Sequence, residues 1–281
     1  MGDQLYRTYK KSGVTVAEPV RPLSNREWER FFDEIREHQI LGLSCGPEER
    51  DREIAIRFTN RQLKQASRLS HLRFLSLGGC GHIDDRGLGH LANLQHLTYL
   101  DLDLNRGHNR PDLVPARVTD DGLTVLRDLP GLREVHLWSL FQITDQAIHH
   151  LSDHTKLKRV SMQRTMARDG AIEMLAGNRE MIGLSPGTQI TNAGLQHLLT
   201  FPRFKKWTQR HCHLSLMQSP RISDKGLATI AQLDGLHALV LPEGAHFNNW
   251  TQRMPKKIVG TIRYTEQGLA KLSIDESTKA A

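Results

Sequence analysis

The sequence predicts an α/β solenoid, in which short parallel strands form one side and helices form the other. Three observations lead to this fold class. A helix-start phrase recurs eight times, a short strand phrase precedes most of its copies, and the two alternate with a period of about 24 residues. One strand and one helix per repeat build a parallel sheet that is covered by helices on one face.

The helix-start phrase consists of an aliphatic residue, then Thr, Asp or Ser, a short polar stretch, and Gly-Leu. In the copy at residues 143–148, Thr144 is the expected N-cap, and Ile143 and Ile148 take the positions of a hydrophobic staple. The other copies lie at residues 83–88, 118–123, 190–195, 222–227 and 264–269, with weaker copies at 58–63 and 166–171. Each copy predicts where a helix begins.

A small residue occupies the third helical position in seven of these copies. Gly inside a helix costs about 1 kcal/mol relative to Ala, so its recurrence predicts that successive helices pack too closely for a side chain. The seven residues are Gly87, Gly122, Ala147, Gly170, Gly194, Gly226 and Gly268.

The strand phrase ends in apolar residues that alternate with polar ones, which is typical of a strand with one buried face. Clear copies occupy residues 72–77, 97–102, 132–137 and 157–162, and weaker copies occupy 182–184, 214–216 and 236–241. Two positions remain open for the strand of the last repeat. It lies either at residues 236–241, followed by a long insertion, or at residues 257–262.

Together the two phrases resemble leucine-rich-repeat proteins, and in particular the cysteine-containing class found in F-box substrate receptors and in bacterial repeat proteins. The resemblance covers roughly residues 53–272, and Cys80 holds the cysteine position of this class after a strand. It implies a right-handed solenoid of about eight repeats, with a concave parallel β-sheet and convex helices. It also implies a non-catalytic function in protein recognition.

The segments outside the repeats have predictions of their own. Residues 1–22 are polar and contain Pro19 and Pro22, which favours a disordered tail. Residues 23–52 are expected to close the solenoid with a capping helix and an edge strand at 40–43. Ser24 and Glu27 are spaced for a capping box, and the apolar stripe of this helix consists of Trp28, Phe31, Phe32 and Ile35. Residues 273–281 are expected to be a short polar tail.

Composition and motifs argue against several functional classes. The chain is 38% apolar and 25% charged, and its apolar runs fall far short of the ~20 residues of a membrane span. Cys45, Cys80 and Cys212 are few and distant, which favours a reducing, cytoplasmic compartment without a disulfide framework. The sequence has no nucleophile elbow, phosphate loop or zinc-protease motif. We therefore expect no enzymatic activity, no metal and no cofactor.

Alternation along the strands identifies the surface that is expected to bind a partner. If Leu75 and Leu77 point into the core, the residues between them point to solvent on the concave side. Large aromatic side chains share this surface with charges, a mixture typical of hot spots in protein interfaces. We expect a protein partner, bound by Phe74, Tyr99, Asp101, Asp103, Glu134, His136, Trp138, Arg159 and Gln163.

Two alternative functions remain open. The net charge is +7, and residues 201–281 carry 12 basic and 6 acidic side chains. Basic segments that contain Trp favour binding of nucleic acid or another polyanion, here through Lys205, Lys206, Trp207, Arg210, Lys256 and Lys257. The resemblance to F-box proteins suggests a substrate-recognition role in a ubiquitin ligase. Because a single firm helix, at residues 23–38, precedes the first repeat, we expect a stand-alone repeat protein instead.

Overall fold

Ten strands form one sheet in the computed structural model, which describes residues 4–45, 57–104, 117–205, 212–234 and 236–241. The strands are hydrogen-bonded in chain order. β1 and β2 are antiparallel, and each later neighbouring pair is parallel. The strands are β1 (Tyr6–Lys11), β2 (Val14–Pro19), β3 (Gly42–Ser44), β4 (Phe74–Ser76), β5 (Tyr99–Asp101), β6 (Glu134–His136), β7 (Arg159–Ser161), β8 (Gly183–Ser185), β9 (Cys212–Ser215) and β10 (Leu236–Val240).

Helical segments connect the strands, and those of neighbouring repeats pack on one another. The first helix has 13 residues, and the later segments are one or two turns long because each repeat is short. The α-helices are α1 (Asn25–Glu37), α2 (Asn60–Ala66), α3 (Asp85–Leu88), α4 (Asp145–His149), α5 (Asp169–Leu175), α6 (Asn192–Gln196), α7 (Pro202–Lys205) and α8 (Asp224–Ile230). Segments of 3₁₀ helix are Gly89–Asn93, Gly122–Asp128 and His197–Thr200.

One aliphatic residue from the middle of each strand from β2 to β10 builds the central row of the core. These residues are in register across the sheet and are all buried: Ala17, Leu43, Leu75, Leu100, Val135, Val160, Leu184, Leu214 and Leu239. The strand phrase is therefore confirmed. A strand is also confirmed at residues 236–241, whereas residues 257–262 and the helix-start copy at 264–269 lie outside the described residues.

The N-terminal segment corrects two predictions. Residues 1–22 were expected to be disordered, but β1 and β2 form an antiparallel hairpin. Its two-residue turn places Ser12 at φ 50° and Gly13 at φ 80°, the pair of positive φ values that a type I′ hairpin turn requires. β2 then pairs with β3, so β3 lies inside the sheet and is not the predicted edge strand. The edge is β1, where Arg7 and Lys10 supply the charges that discourage further strand pairing.

Helix α1 packs against the first repeat as the sequence predicts. Ser24 and Glu27 form the reciprocal hydrogen bonds of a capping box. The ring of Trp28 lies 5.3 Å from that of Phe58, between centroids, in an edge-to-face contact. The predicted apolar stripe is buried in full, and consists of Trp28, Phe31, Phe32 and Ile35.

A polar side chain at or just before the start of several helical segments links each of those segments to the next repeat. Asp120 accepts the backbone N–H of Thr144 at 2.8 Å through Oδ1 and the Thr144 hydroxyl at 2.7 Å through Oδ2. Thr144 is also the N-cap predicted for its own helix, since its Oγ1 accepts the N–H of Gln146. Equivalent links join Asp85 to Thr119, Asp145 to Arg168, Asp169 to Thr191 and Asn192 to Ser223. The acidic phrase therefore holds successive repeats together.

The recurrent glycines face these links, which confirms the predicted close packing. A Cβ at Gly122 would lie 2.7 Å from Cγ of Asp85 and 2.8 Å from its Cα. Gly87, Gly194 and Gly226 likewise leave no room for a Cβ beside a polar side chain of the preceding repeat. One copy was wrongly aligned: α5 has Arg168 as its N-cap and begins at Asp169, so its third position is Ala171, not Gly170.

Candidate functional site on the open sheet face

The side of the sheet that points away from the helices, here called the open sheet face, corresponds to the predicted binding surface. Its side chains alternate with those of the aliphatic core row. One row of this face contains, from β3 to β10, Gly42, Phe74, Tyr99, Glu134, Arg159, Gly183, His213 and Ala238. The adjacent row contains Ser44, Ser76, Asp101, His136, Ser161 and Ser185.

The first half of this face is covered, so the exposure predicted for its aromatic residues is wrong. Phe74 is 1% exposed and Tyr99 is 8% exposed. Their rings stack with centroids 4.2 Å apart, and Val16 of the hairpin packs against them across Gly42, which has no side chain. The ammonium group of Lys11 lies 5.5 Å from the centroid of the Phe74 ring. The two rings therefore form a second apolar cluster beneath the hairpin.

Asp101 at the end of β5 and Asp103 just after it are also buried, so the solvent exposure predicted for them is wrong. The hydroxyl of Ser76 donates to Oδ2 of Asp101 at 2.8 Å, and the backbone N–H of Asp103 donates to Oδ1 at 3.0 Å. Gln163 is buried as well, and its Nε2 lies 3.4 Å from Oγ of Ser215. These side chains support the surface through hydrogen bonds to their neighbours.

Four of the predicted partner-binding residues retain solvent access: Glu134, His136, Trp138 and Arg159. Nε2 of His136 lies 2.9 Å from Oε1 of Glu134, and a guanidinium nitrogen of Arg159 lies 3.6 Å from Oε2. Burial raises the pKa of the Glu134 carboxyl, but the hydrogen bond and charge of His136, followed by those of Arg159, outweigh burial and lower it overall. The Glu134 carboxylate thus lies between the His136 imidazole and the Arg159 guanidinium.

A groove with a cavity of about 290 Å³ lies in the second half of the open sheet face, across β6 to β10. Its polar side chains are those of His136, Ser161, Arg159, Ser185, His213 and Ser215, and Ala238 and Val240 close its far end. Gly183 leaves space beside Arg159, because a Cβ there would lie 2.8 Å from Cγ of the arginine. We refer to this site as the β6–β10 groove.

Sequence reasoning found His136 and Arg159 but did not identify Gly183, His213 or Ser215. Gly183, His213 and Ser215 belong to the weaker strand phrases, where the sequence pattern alone does not specify the register. They could still have been identified, because each lies immediately before or after the central aliphatic residue of its strand. That position places Gly183 and His213 in the same row as Arg159.

The predicted polyanion-binding residues are not tested by the described part of the structure. Lys206, Trp207, Arg210, Lys256 and Lys257 lie outside the described residues, and of Lys205 only the backbone, at the end of α7, is described. Across the described ranges, no cluster of three His, Cys, Asp or Glu side chains is arranged to hold a metal ion. No helix within those ranges has both the length and the apolar character required to cross a membrane. The side chains of Cys45, Cys80 and Cys212 are buried.

The architecture consists of repeats, each of which supplies one short parallel strand, one aliphatic core position and one capped helical segment. The fold is a leucine-rich-repeat solenoid. The described solenoid is extended at its first edge by the β1–β2 hairpin, and α1 packs on its first repeat.

Comparison with known proteins adds distant structural likenesses. No family model and no curated protein matches the chain. Similar solved structures include a chain of the yeast Rad7–Elc1 complex (14% identity, TM-score 0.39). Two others are internalin C2 (16%, 0.41) and internalin F (14%, 0.32) of Listeria monocytogenes. The match to the yeast chain covers 78% of this chain and 64% of that chain. The matches to internalin C2 and internalin F cover 74% and 89% of this chain, and 84% and 85% of those chains, respectively. The chain thus spans less than two thirds of the yeast chain, and at these TM-scores the likenesses carry no argument about function.

Proposed function

We propose that this protein is a non-catalytic interaction module that binds a segment of a protein partner in the β6–β10 groove. The observation that carries the proposal is the groove itself, in which five successive strands present charged, hydroxyl and aliphatic groups on one accessible surface. Protein interfaces combine such groups, with Arg and Trp frequent among the residues that contribute most to affinity. Arg159 lies in the groove, and the half-buried Trp138 follows β6.

The dimensions of the groove suit an extended peptide. Five strands spaced by ~4.8 Å span about 19 Å, which is the length of about six extended residues. The strands β6 to β9, which carry most of the groove side chains, are each hydrogen-bonded to a neighbouring strand on both sides. Such a surface loses little conformational entropy on binding, which favours affinity.

A quantitative affinity capture tests this proposal. The full chain is compared with Ser185→Trp, which fills the centre of the groove, and with Arg127→Gln, which removes an exposed charge on the helical side. We expect a defined set of proteins to be retained by the wild type and by Arg127→Gln and to be lost with Ser185→Trp. Thermal melting of each variant verifies folding. Identical capture by all three proteins would refute the assignment to the groove.

The polyanion-binding and ubiquitin-ligase roles remain predictions from the sequence. The first depends on Lys206, Trp207 and Lys256, which lie outside the described residues. The ubiquitin-ligase role would require the N-terminal segment to bind a ligase adaptor. The described contacts of the hairpin and of α1 are with the core of the solenoid, which is what closure of its first end requires.

A further inference from the structure

The ionisable side chains that line the β6–β10 groove, among the described residues, are basic. Among the residues that form it, the ionisable side chains are those of Arg159, His136 and His213, and no Asp or Glu is included. The nearby carboxylate of Glu134 flanks the groove and is engaged by His136 and Arg159. A groove that offers a guanidinium, imidazole N–H donors and hydroxyl groups is complementary to an anionic ligand.

The other acidic side chains of the open sheet face are already occupied and lie towards its first edge. Asp101 accepts hydrogen bonds from the Ser76 hydroxyl and from the Asp103 N–H. Glu18 forms an ion pair with Arg7 at 2.7 Å. Apart from Glu134, these acidic side chains therefore lie on β2 and β5, towards the first edge of the sheet, and not on the strands that form the groove.

Arg159 is well placed to contact a ligand. Its aliphatic stem lies over Gly183, and its side chain is 43% exposed. The 3.6 Å separation from Glu134 is longer than a normal N–H···O hydrogen bond. A guanidinium has five N–H donors, so this one long contact leaves donors for an incoming carboxylate.

We propose that the β6–β10 groove recognises an acidic segment of its protein partner, with an Asp or Glu carboxylate bound by Arg159 between His136 and His213. This inference rests on the proposed function and specifies the chemistry of the partner. Arginine binds a carboxylate through two parallel hydrogen bonds, which provides both affinity and orientation. The hydroxyls of Ser161 and Ser185 line the adjacent row and bind further polar groups of the segment.

The decisive experiment measures fluorescence anisotropy of labelled hexaglutamate with the full chain at low salt, with hexaglutamine as the uncharged probe. We expect hexaglutamate to bind at least tenfold more tightly than hexaglutamine. Arg159→Gln should weaken hexaglutamate binding about tenfold, as expected for the loss of one charge-assisted contact. Arg127→Gln, which removes the same charge from the helical side, should change it less than twofold.

Two further variants separate recognition from a merely structural role of the ion pair. Glu134→Gln removes the carboxylate that competes for Arg159 and should tighten hexaglutamate binding severalfold. If the pair mattered only for folding, Glu134→Gln and Arg159→Gln would act in the same direction. Gly183→Ala keeps every charge but displaces the stem of Arg159, so it should weaken binding.

Several outcomes would overturn the inference. The first is equal affinity for hexaglutamate and hexaglutamine. The second is an equal loss of hexaglutamate affinity in Arg159→Gln and Arg127→Gln. The third is weaker binding of hexaglutamate by Glu134→Gln. Tighter binding of single-stranded DNA of the same charge, with the same loss in Arg159→Gln, would assign the groove to nucleic acid instead. If Ser185→Trp abolishes protein capture while hexaglutamate does not bind, the proposed function survives and the acidic partner is wrong. If Ser185→Trp does not reduce protein capture, the proposed function itself fails.

Discussion

Replacement of Gly122 by Ala tests the link between successive repeats, because it should reverse the usual sign of a glycine-to-alanine change. In a helix, Ala is normally more stable than Gly by about 0.5–1 kcal/mol. Here the new Cβ would lie 2.8 Å from the backbone Cα of Asp85, so rotation of the Asp85 side chain alone does not relieve the overlap. The two repeats must therefore separate or Asp85 must give up its hydrogen bonds to Thr119.

The expected magnitude follows from these two costs. Overpacking costs about 1–3 kcal/mol, and weakening of a hydrogen bond to a charged group costs about 1.5–3 kcal/mol. Because at least one of these costs is incurred, subtraction of the gain of about 0.5–1 kcal/mol from Ala leaves Gly122→Ala to lower the free energy of unfolding by about 0.5–2.5 kcal/mol. Urea denaturation followed by circular dichroism measures this change.

Gly89→Ala is the matched control. Gly89 has right-handed helical dihedral angles, and a Cβ built there has nothing within 4 Å. This substitution should stabilise the protein by about 0.4–1 kcal/mol. Asp85→Ala should lower the free energy of unfolding in the wild-type background. In the Gly122→Ala background the same substitution should lower it less, since it also removes part of the clash. If Gly122→Ala stabilises the protein as Gly89→Ala does, the proposed packing constraint is refuted.

Three further predictions concern the core and the N-terminal hairpin. Leu137→Ala should cost about 2–5 kcal/mol in urea denaturation because its side chain is fully buried, and a cost below about 1 kcal/mol would contradict its place in the core. Deletion of residues 1–20 should destabilise the protein by about 1.5–3 kcal/mol or more, because it uncovers Tyr99 and its stacked neighbour; an unchanged melting temperature would show that the hairpin does not shield them. Burial lowers the pKa of His154, and the hydrogen bond to the Leu126 carbonyl only partly offsets it. The folded-state pKa therefore lies below the unfolded value of about 6.5, so stability is lost as pH falls from about 6.5 through the folded-state pKa. His154→Gln should flatten this loss in melting curves recorded at successive pH values, and an unchanged slope would exclude His154 as its source.

Much of the repeat architecture could be predicted because its determinants are local. The alternation of Leu75 and Leu77 with polar residues indicates a strand with one buried face, and Thr144 before an acidic residue indicates a helix start. Gly122 could be connected to close helix packing because glycine is costly within a helix unless a neighbour requires it. Register then follows from repetition, since each strand pairs with the equivalent strand of the next repeat.

The candidate site could be predicted only in part. Alternation correctly assigned Phe74, Tyr99 and Arg159 to one face of the sheet, but it does not specify what covers that face. The hairpin was missed because the polar residues of β1 and the prolines at 19 and 22 favoured disorder, although the Ser12-Gly13 dipeptide was a signal for its turn. Its pairing with β3 is a tertiary event that no local pattern specifies.

By itself, the sequence determined the repeating unit: an alternating strand, a capped helix start and a glycine where the next repeat approaches. These features depend on backbone dihedral preferences and on the burial of apolar side chains within about 24 residues. Tertiary structure alone decided which half of the open sheet face remains accessible. Val16 reaches Phe74 and Tyr99 across Gly42 and buries them, whereas no described element covers Arg159 beside Gly183. The physical reason is that solvent access depends on contacts between residues far apart in the chain, and periodicity carries no information about such contacts.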